Sequence, residues 1–233
     1  MKYNKLWASA LVFAMLAVNT GCDDSSKESE GPAAPVPVEA TDDNAVTFDD
    51  GDFSFAEVIC DDATSSEGEL SVVEVQGNKM LKFTDSGNVP MEERVQKIRI
   101  NAVFLIGAEN LEKVNKIEFD LYADATSDLL VNEDGNNVKA PGWIGGGGGT
   151  VTADDEKWYD FGEYAGGEYN FDMSGAVHAE FKFLLAAGGQ KWSAEMDDAN
   201  FLIMRWGIQN ESNLYIDNIV FYDEDGNSIP LVK

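Results

Sequence analysis

The stretch Asn213-Leu-Tyr-Ile-Asp-Asn-Ile-Val-Phe-Tyr-Asp223 decides the fold. Leu214, Ile216 and Val220, with the aromatics Tyr215, Phe221 and Tyr222, make it a strong strand former. Asp217 interrupts the apolar run at its centre. A carboxylate buried alone in a strand is costly, so this position calls for a cation or several hydrogen-bond donors.

Outward from this strand, the chain repeats one pattern. Short apolar or alternating runs occur at residues 53–59, 69–75, 79–84, 97–106, 116–122, 179–185, 201–209, 214–222 and 229–232. Turn residues separate them, notably Gln76-Gly77-Asn78 and Asp225-Gly226. Residues 109–114 could form one helical turn, but no long stretch keeps a helical period. Many short strands joined by turns predict an all-β chain, a two-sheet antiparallel β-sandwich of jelly-roll type. Alternation predicts one buried and one polar face per strand. Ile117, Phe119 and Leu121 are set against Glu118, Asp120 and Tyr122, and Leu202, Met204, Trp206 and Ile208 against Arg205 and Gln209.

The N-terminus is different in kind. Lys2 and Lys5 precede an apolar run from Leu6 to Val18, and small residues lead to Cys22. That run is shorter than the ~20 residues of a comfortable membrane span. Residues 1–21 read as a signal peptide of the bacterial lipoprotein type, with Cys22 as the lipidated residue. Residues 22–45 are rich in Asp, Ser, Glu, Pro and Ala and predict a disordered acidic tether. Residues 46–233 then make one folded domain, taken as a monomer. Location is expected to be extracytoplasmic, lipid-anchored to the cell envelope, at the outer membrane or cell surface. The lipid would be its sole membrane contact.

Sixteen basic residues stand against 43 acidic ones, a formal net charge of −27. Such a balance argues against nucleic acid or anionic lipid as a partner. With Cys22 lipidated, Cys60 has no partner for an intramolecular disulfide. A Cys–His nucleophile would need His178, the sole histidine, and is not expected.

The polar strand faces collect Arg99, Asn101, Glu118, Asp120, Tyr122, Glu180, Lys182, Arg205 and Gln209. Carboxylates, amides and guanidinium groups pair with sugar hydroxyls, and aromatic rings stack on pyranose C–H faces. The alternative is a solvated face laced with surface ion pairs. Asp120, Tyr122, Arg205 and Gln209 are the expected lining of a glycan groove, with Trp143 or Trp158 at its edge. Trp192, Trp143 and Trp158 lie in loop-like surroundings, as core lids or stacking platforms, while Trp206 falls with the core set. The run Gly145 to Gly149 lacks the Lys-Ser/Thr of a phosphate loop and reads as a flexible loop or bulged edge strand. Residues 223–227 and 132–136 fail the ligand spacing of calcium loops and read as hairpin turns.

The Ile216-Asp217-Asn218-Ile219 close, the opening Phe48-Asp49-Asp50-Gly51 and the Gly77-x-x-x-Leu81-Lys82 hairpin together resemble calcium-containing jelly-roll carbohydrate-binding modules, galactose-binding-like in fold. The resemblance implies non-catalytic binding of a polysaccharide or oligosaccharide. It also implies a structural Ca2+ held by Asp217 and by Asp49, which stands where that family usually has Glu. Backbone carbonyls of residues 77–82 could complete an oxygen shell. The competing reading has Asp49 and Asp50 capping a turn while Asp217 bonds backbone amides. Glu118-Phe-Asp120 resembles part of the Glu-x-Asp-x-x-Glu strand of jelly-roll endoglucanases, which leaves a glycoside hydrolase or lyase using Glu118 and Asp120 as one alternative. Leu121, Tyr122 and Ala123 follow, so the third acid is missing. A structural or adhesive surface lipoprotein is the other alternative.

Overall fold

The computed structural model describes residues 38–60, 68–85, 95–125, 143–152, 155–160, 169–170, 175–183, 191–196, 199–206 and 212–232. The expected leader at residues 1–21, residues 22–37 of the expected tether with Cys22, Gln209 and the turn at residues 132–136 lie outside them.

Most of the short runs form strands, β6, β7 and β8 arise outside them, and residues 229–232 form none: β1 (Ala56–Cys60), β2 (Gly68–Val75), β3 (Asn78–Asp85), β4 (Val95–Asn101), β5 (Lys116–Ala125), β6 (Trp143–Thr152), β7 (Asp155–Asp160), β8 (Tyr169–Asn170), β9 (Gly175–Lys182), β10 (Asn200–Trp206) and β11 (Ser212–Tyr222). They build two antiparallel sheets. One has six strands in the order β1-β4-β10-β6-β7, with β8 beside β6; the other has five in the order β2-β3-β11-β5-β9. The all-β, two-sheet sandwich expected from the sequence is the fold observed.

The hairpin between β2 and β3 turns on Gln76 and Gly77, both with positive φ (53° and 89°). That is the backbone a two-residue hairpin loop demands. On β5, Ile117, Phe119, Leu121 and Ala123 are buried in the core. Glu118, Asp120, Tyr122 and Asp124 fall on the opposite side, as their alternation predicts. Aromatic contacts tie the layers together. Phe119 meets Phe181 edge-on at 5.0 Å and Phe201 of the other sheet at 6.2 Å, and Phe201 meets Phe221 at 5.9 Å.

Three further local features depart from the sequence expectation. The predicted strand at residues 97–106 ends at Asn101, and a short helix, α1 (Ala102–Ile106), follows. The Asn101 side chain accepts a hydrogen bond from Phe104 N at 2.9 Å, an N-cap that competes with strand pairing. A 3-10 turn (Ala108–Lys113) comes next, where one helical turn was expected. The glycine run is neither loop nor edge: β6 lies between β10 and β7. Backbone hydrogen bonds build a ladder without side chains, and Trp143, Ile144, Thr150 and Val151 supply strand propensity at its ends. On β10 the alternation is inverted. Phe201 and Ile203 join the core cluster, so Leu202 faces away from it, although it is also buried. The strand is apolar on both sides, and periodicity alone could not tell them apart.

Contacts with the fold begin ahead of the expected boundary at residue 46. Asn218 Nδ2 donates to the Val38 carbonyl at 2.8 Å, and Asn44 Nδ2 donates to Ser228 Oγ at 2.8 Å. Val46 itself bridges to Ile219.

Candidate functional site

Cross-strand register places one continuous row across the outer face of the six-stranded sheet. Glu57 pairs with Arg99, Arg99 with Leu202, Leu202 with Gly147, and Gly147 with Asp160. Directly paired residues share a face, and Ile98 and Ile100 on either side of Arg99 are core residues. The row therefore faces away from the core. Strands lie ~4.8 Å apart, so five of them give a row about 19 Å long. Gly145 and Gly149 flank Gly147 on the same face, leaving its middle as bare backbone. Trp143 and Trp206 pair with each other at one end of this face, and Trp158 pairs with Gly149 near the other.

A pocket of about 200 Å³ opens where this face meets α1, lined by Ser54, Glu57, Arg99, Asn101, Phe104 and Asn200 among others. Arg99 forms an ion pair with Glu57 within it. Phe104 forms part of the wall and is 47% exposed.

The expected groove residues divide between the sheets. Trp143 and Trp158 lie on the row's face by register. Arg205 occupies the β10 register position shared with Phe201 and Ile203, paired with Gln96 and Ile144. Asp120 and Tyr122 lie on β5 in the other sheet, so they share no sheet face with Arg205 or either tryptophan. This corrects the expectation of a single groove lined by all of them. Parity within a strand was legible, but the partition of strands between sheets was not. Trp206, expected in the core, falls at the outer-face register of Leu202. Trp192 is a core lid: it is 1% exposed and meets Phe183 edge-on at 5.2 Å. Sequence reading put Arg99 and Asn101 on a polar face but missed Glu57 and Phe104, whose placement depends on β1–β4 pairing and on α1.

The outer face of the five-stranded sheet carries an ion-pair network. Glu118 Oε1 pairs with Lys116, and its Oε2 lies 3.4 Å from His178 Nε2. Asp120 Oδ1 lies 2.8 Å from His178 Nδ1, and its Oδ2 accepts from Asn218 Nδ2 at 2.7 Å. The four carboxylate oxygens of the alternative catalytic pair are thus all engaged. Tyr122 is only 8% exposed and packs edge-on against Tyr215 at 5.9 Å, beside Met80. Burial pulls the His178 pKa down, but its hydrogen bonds to Asp120 and Glu118 outweigh that and hold it above its ordinary value of 6.5. A raised folded-state value means the contribution to stability is full below about 6.5 and is lost as pH rises through the folded pKa. Proton NMR of this sole histidine should therefore titrate above pH ~6.5, and Asp120→Asn should lower the midpoint. An unchanged midpoint in the variant would count against the Asp120 contact.

Asp217 lies on β11 just before a register shift, where Asn218 adopts a φ of 53°. It is 1% exposed. Asn78 Nδ2 donates to its Oδ2 at 2.7 Å, while Oδ1 has no hydrogen-bond partner among the described residues. Burial is the main cause that pushes its pKa up to about 6; the Asn78 amide and the Asn218 N–H act against this, and Asp120 and Asp49 add to it. Asp49 stands in the turn after Phe48, which has a φ of 58° and is fixed by burial and by stacking on Phe55 at 5.8 Å. Thr47 Oγ1 donates to Asp49 Oδ2 at 2.9 Å, and Lys79 Nζ donates to the Asp49 carbonyl at 2.6 Å. No group of three or more His, Cys, Asp or Glu side chains forms a metal cluster among the described residues. A hard cation here would have only the unpartnered Asp217 oxygen, the Asp49 carboxylate and nearby carbonyls to draw on, and Lys79 already occupies the Asp49 carbonyl. At residues 223–227, Asn227 N donates to Asp223 Oδ1 at 2.8 Å inside a turn, as expected of a hairpin.

No family model matches the sequence, and no curated protein matches it. Solved structures similar to this fold include a carbohydrate-binding module specific for non-crystalline cellulose, CBM28. It has a TM-score of 0.48 and 13% identity, covering 79% of this chain and 95% of that one. The C-terminal family 22 carbohydrate-binding module of Xyn10B from Clostridium thermocellum gives 0.45 and 10%, with 80% and 99% coverage. The family 11 module of the cellulosomal cellulase Lic26A-Cel5E of Clostridium thermocellum gives 0.43 and 10%, with 78% and 94%. At these identities the likeness is one of fold.

Proposed function

We propose that this chain binds an uncharged polysaccharide or oligosaccharide, without catalysis, on the outer face of its six-stranded sheet. The row Glu57–Arg99–Leu202–Gly147–Asp160 carries this reading. Its open end, Glu57 and Arg99, offers paired donors and acceptors for vicinal hydroxyls, and the glycine positions of β6 let a ring approach the backbone, while Leu202 at the centre of the row is buried. Trp143, Trp206 and Trp158 occupy register positions of the same row face, the residue type that stacks on pyranose rings. The Arg99–Glu57 pair balances its own charge, and the chain's net charge of −27 disfavours acidic polymers.

Two further parts belong to the reading. Asp217, Asp49 and carbonyls of residues 77–82 would hold a structural Ca2+, which would neutralise the buried carboxylate and tie β11 to the opening turn. Cys22 would carry a lipid that keeps the protein at the cell envelope. Mass spectrometry of the membrane fraction should find acylated Cys22, and an unmodified, fully released protein would remove that part.

A glycan array with the intact chain tests the binding. Wild type should retain at least one uncharged glycan without releasing product, and Arg99→Ala should bind it about 1–3 kcal/mol more weakly. Product formation would favour a hydrolase or lyase, and silence across the array would favour a structural protein.

A further inference from the structure

We propose that the pocket beside α1 receives the terminal sugar of an uncharged glycan, so that the protein reads chain ends as well as chain interiors. This rests on the binding face proposed above and adds a subsite to it. The pocket lies at the β1–β4 end of the row, where Glu57 and Arg99 are neighbours. Its volume of about 200 Å³ suits one sugar ring rather than a passing chain. Its wall is built by an interruption of the sheet. Asn101 caps α1 through Phe104 N, and Gly107 (φ 75°) ends the helix, so Phe104 stands at the margin of the face instead of in the core.

Phe104 is fixed before any ligand arrives. It stacks on Phe55 at 6.1 Å with a 30° interplanar angle, and Phe55 stacks on Phe48 at 5.8 Å. One side of the ring is thus held by the fold, while nearly half of the residue is open to solvent. A ring immobilised this way stacks on a pyranose with little further loss of freedom. In the pocket lining, the Arg99–Glu57 pair presents donors beside acceptors with no net charge, which suits neutral hydroxyls rather than a uronate.

The test uses the full chain with xylan, mannan and mixed-linkage β-glucan. Whichever polymer binds is partly hydrolysed and compared with the parent at equal mass. Binding capacity should rise in step with the number of chain ends. Phe104→Ala should weaken binding at least tenfold, while Phe104→Trp should keep it. Capacity that follows mass alone, or wild-type binding by Phe104→Ala, overturns the inference and leaves the face reading in place. Failure of all three polymers to bind wild type, with no uncharged glycan retained on the array either, overturns both.

Discussion

In the presence of a chelator, Asp217→Asn should be more stable than wild type at pH 8 and nearly equal to it at pH 4. Asp217 is buried, and burial raises its pKa from 3.8 to about 6. A carboxyl whose folded value is raised contributes its full stability below the unfolded value. That contribution disappears as pH climbs through about 6, because the folded state must then hold an uncompensated charge. The difference between the two values corresponds to about 3 kcal/mol, an order-of-magnitude figure. Asparagine keeps the shape and an acceptor for Asn78 but removes the ionisation. Calcium should reverse the ranking. At a hundredfold excess over its dissociation constant, a ligand bound only by the folded state adds about 2.7 kcal/mol. Wild type should gain this and the Asn variant should not. Melting curves of wild type that are identical with calcium and with chelator would sink the metal site. A variant no more stable than wild type at pH 8 in chelator would sink the burial argument itself.

Phe119→Ala should cost about 3–5 kcal/mol in urea unfolding, the range for deleting a large core aromatic. Phe119 is fully buried and reaches Phe181 on its own sheet and Phe201 across the sandwich. No small shift of one sheet can refill a hole bordered by both. The midpoint should fall while the denaturant slope stays the same. A loss below 1 kcal/mol would mean the two layers can close over the gap.

The sandwich was legible because β5 and the β2–β3 hairpin show their periods and turn residues in the local sequence. Asp217 was legible for a related reason, since an acid in the middle of an apolar strand announces an unusual environment. The candidate face was only half legible. Trp143, Trp158, Arg99 and Asn101 could be picked out, but Glu57 and Phe104 could not. Which strands share a sheet is set by long-range pairing, and Asp120 and Arg205 look alike until β5 and β10 are assigned to different layers. Leu202 misled for another reason: a strand apolar on both sides gives alternation no contrast to work with. Phe104 was hidden behind a single cap, because Asn101 turns a plausible strand into a helix and carries the ring out of the core.

The grip of Asn218 on the Val38 carbonyl has a consequence for presentation. Asn218 also holds Asp120, so chain arriving from the N-terminal side meets the fold on the five-stranded layer. The row from Glu57 to Asp160 belongs to the opposite layer. The Val38 carbonyl is therefore held on the layer that does not carry the proposed binding row. Tension applied to the backbone at Val38 would load Asn218 and β11 first, and would reach the six-stranded sheet only through the core between the layers.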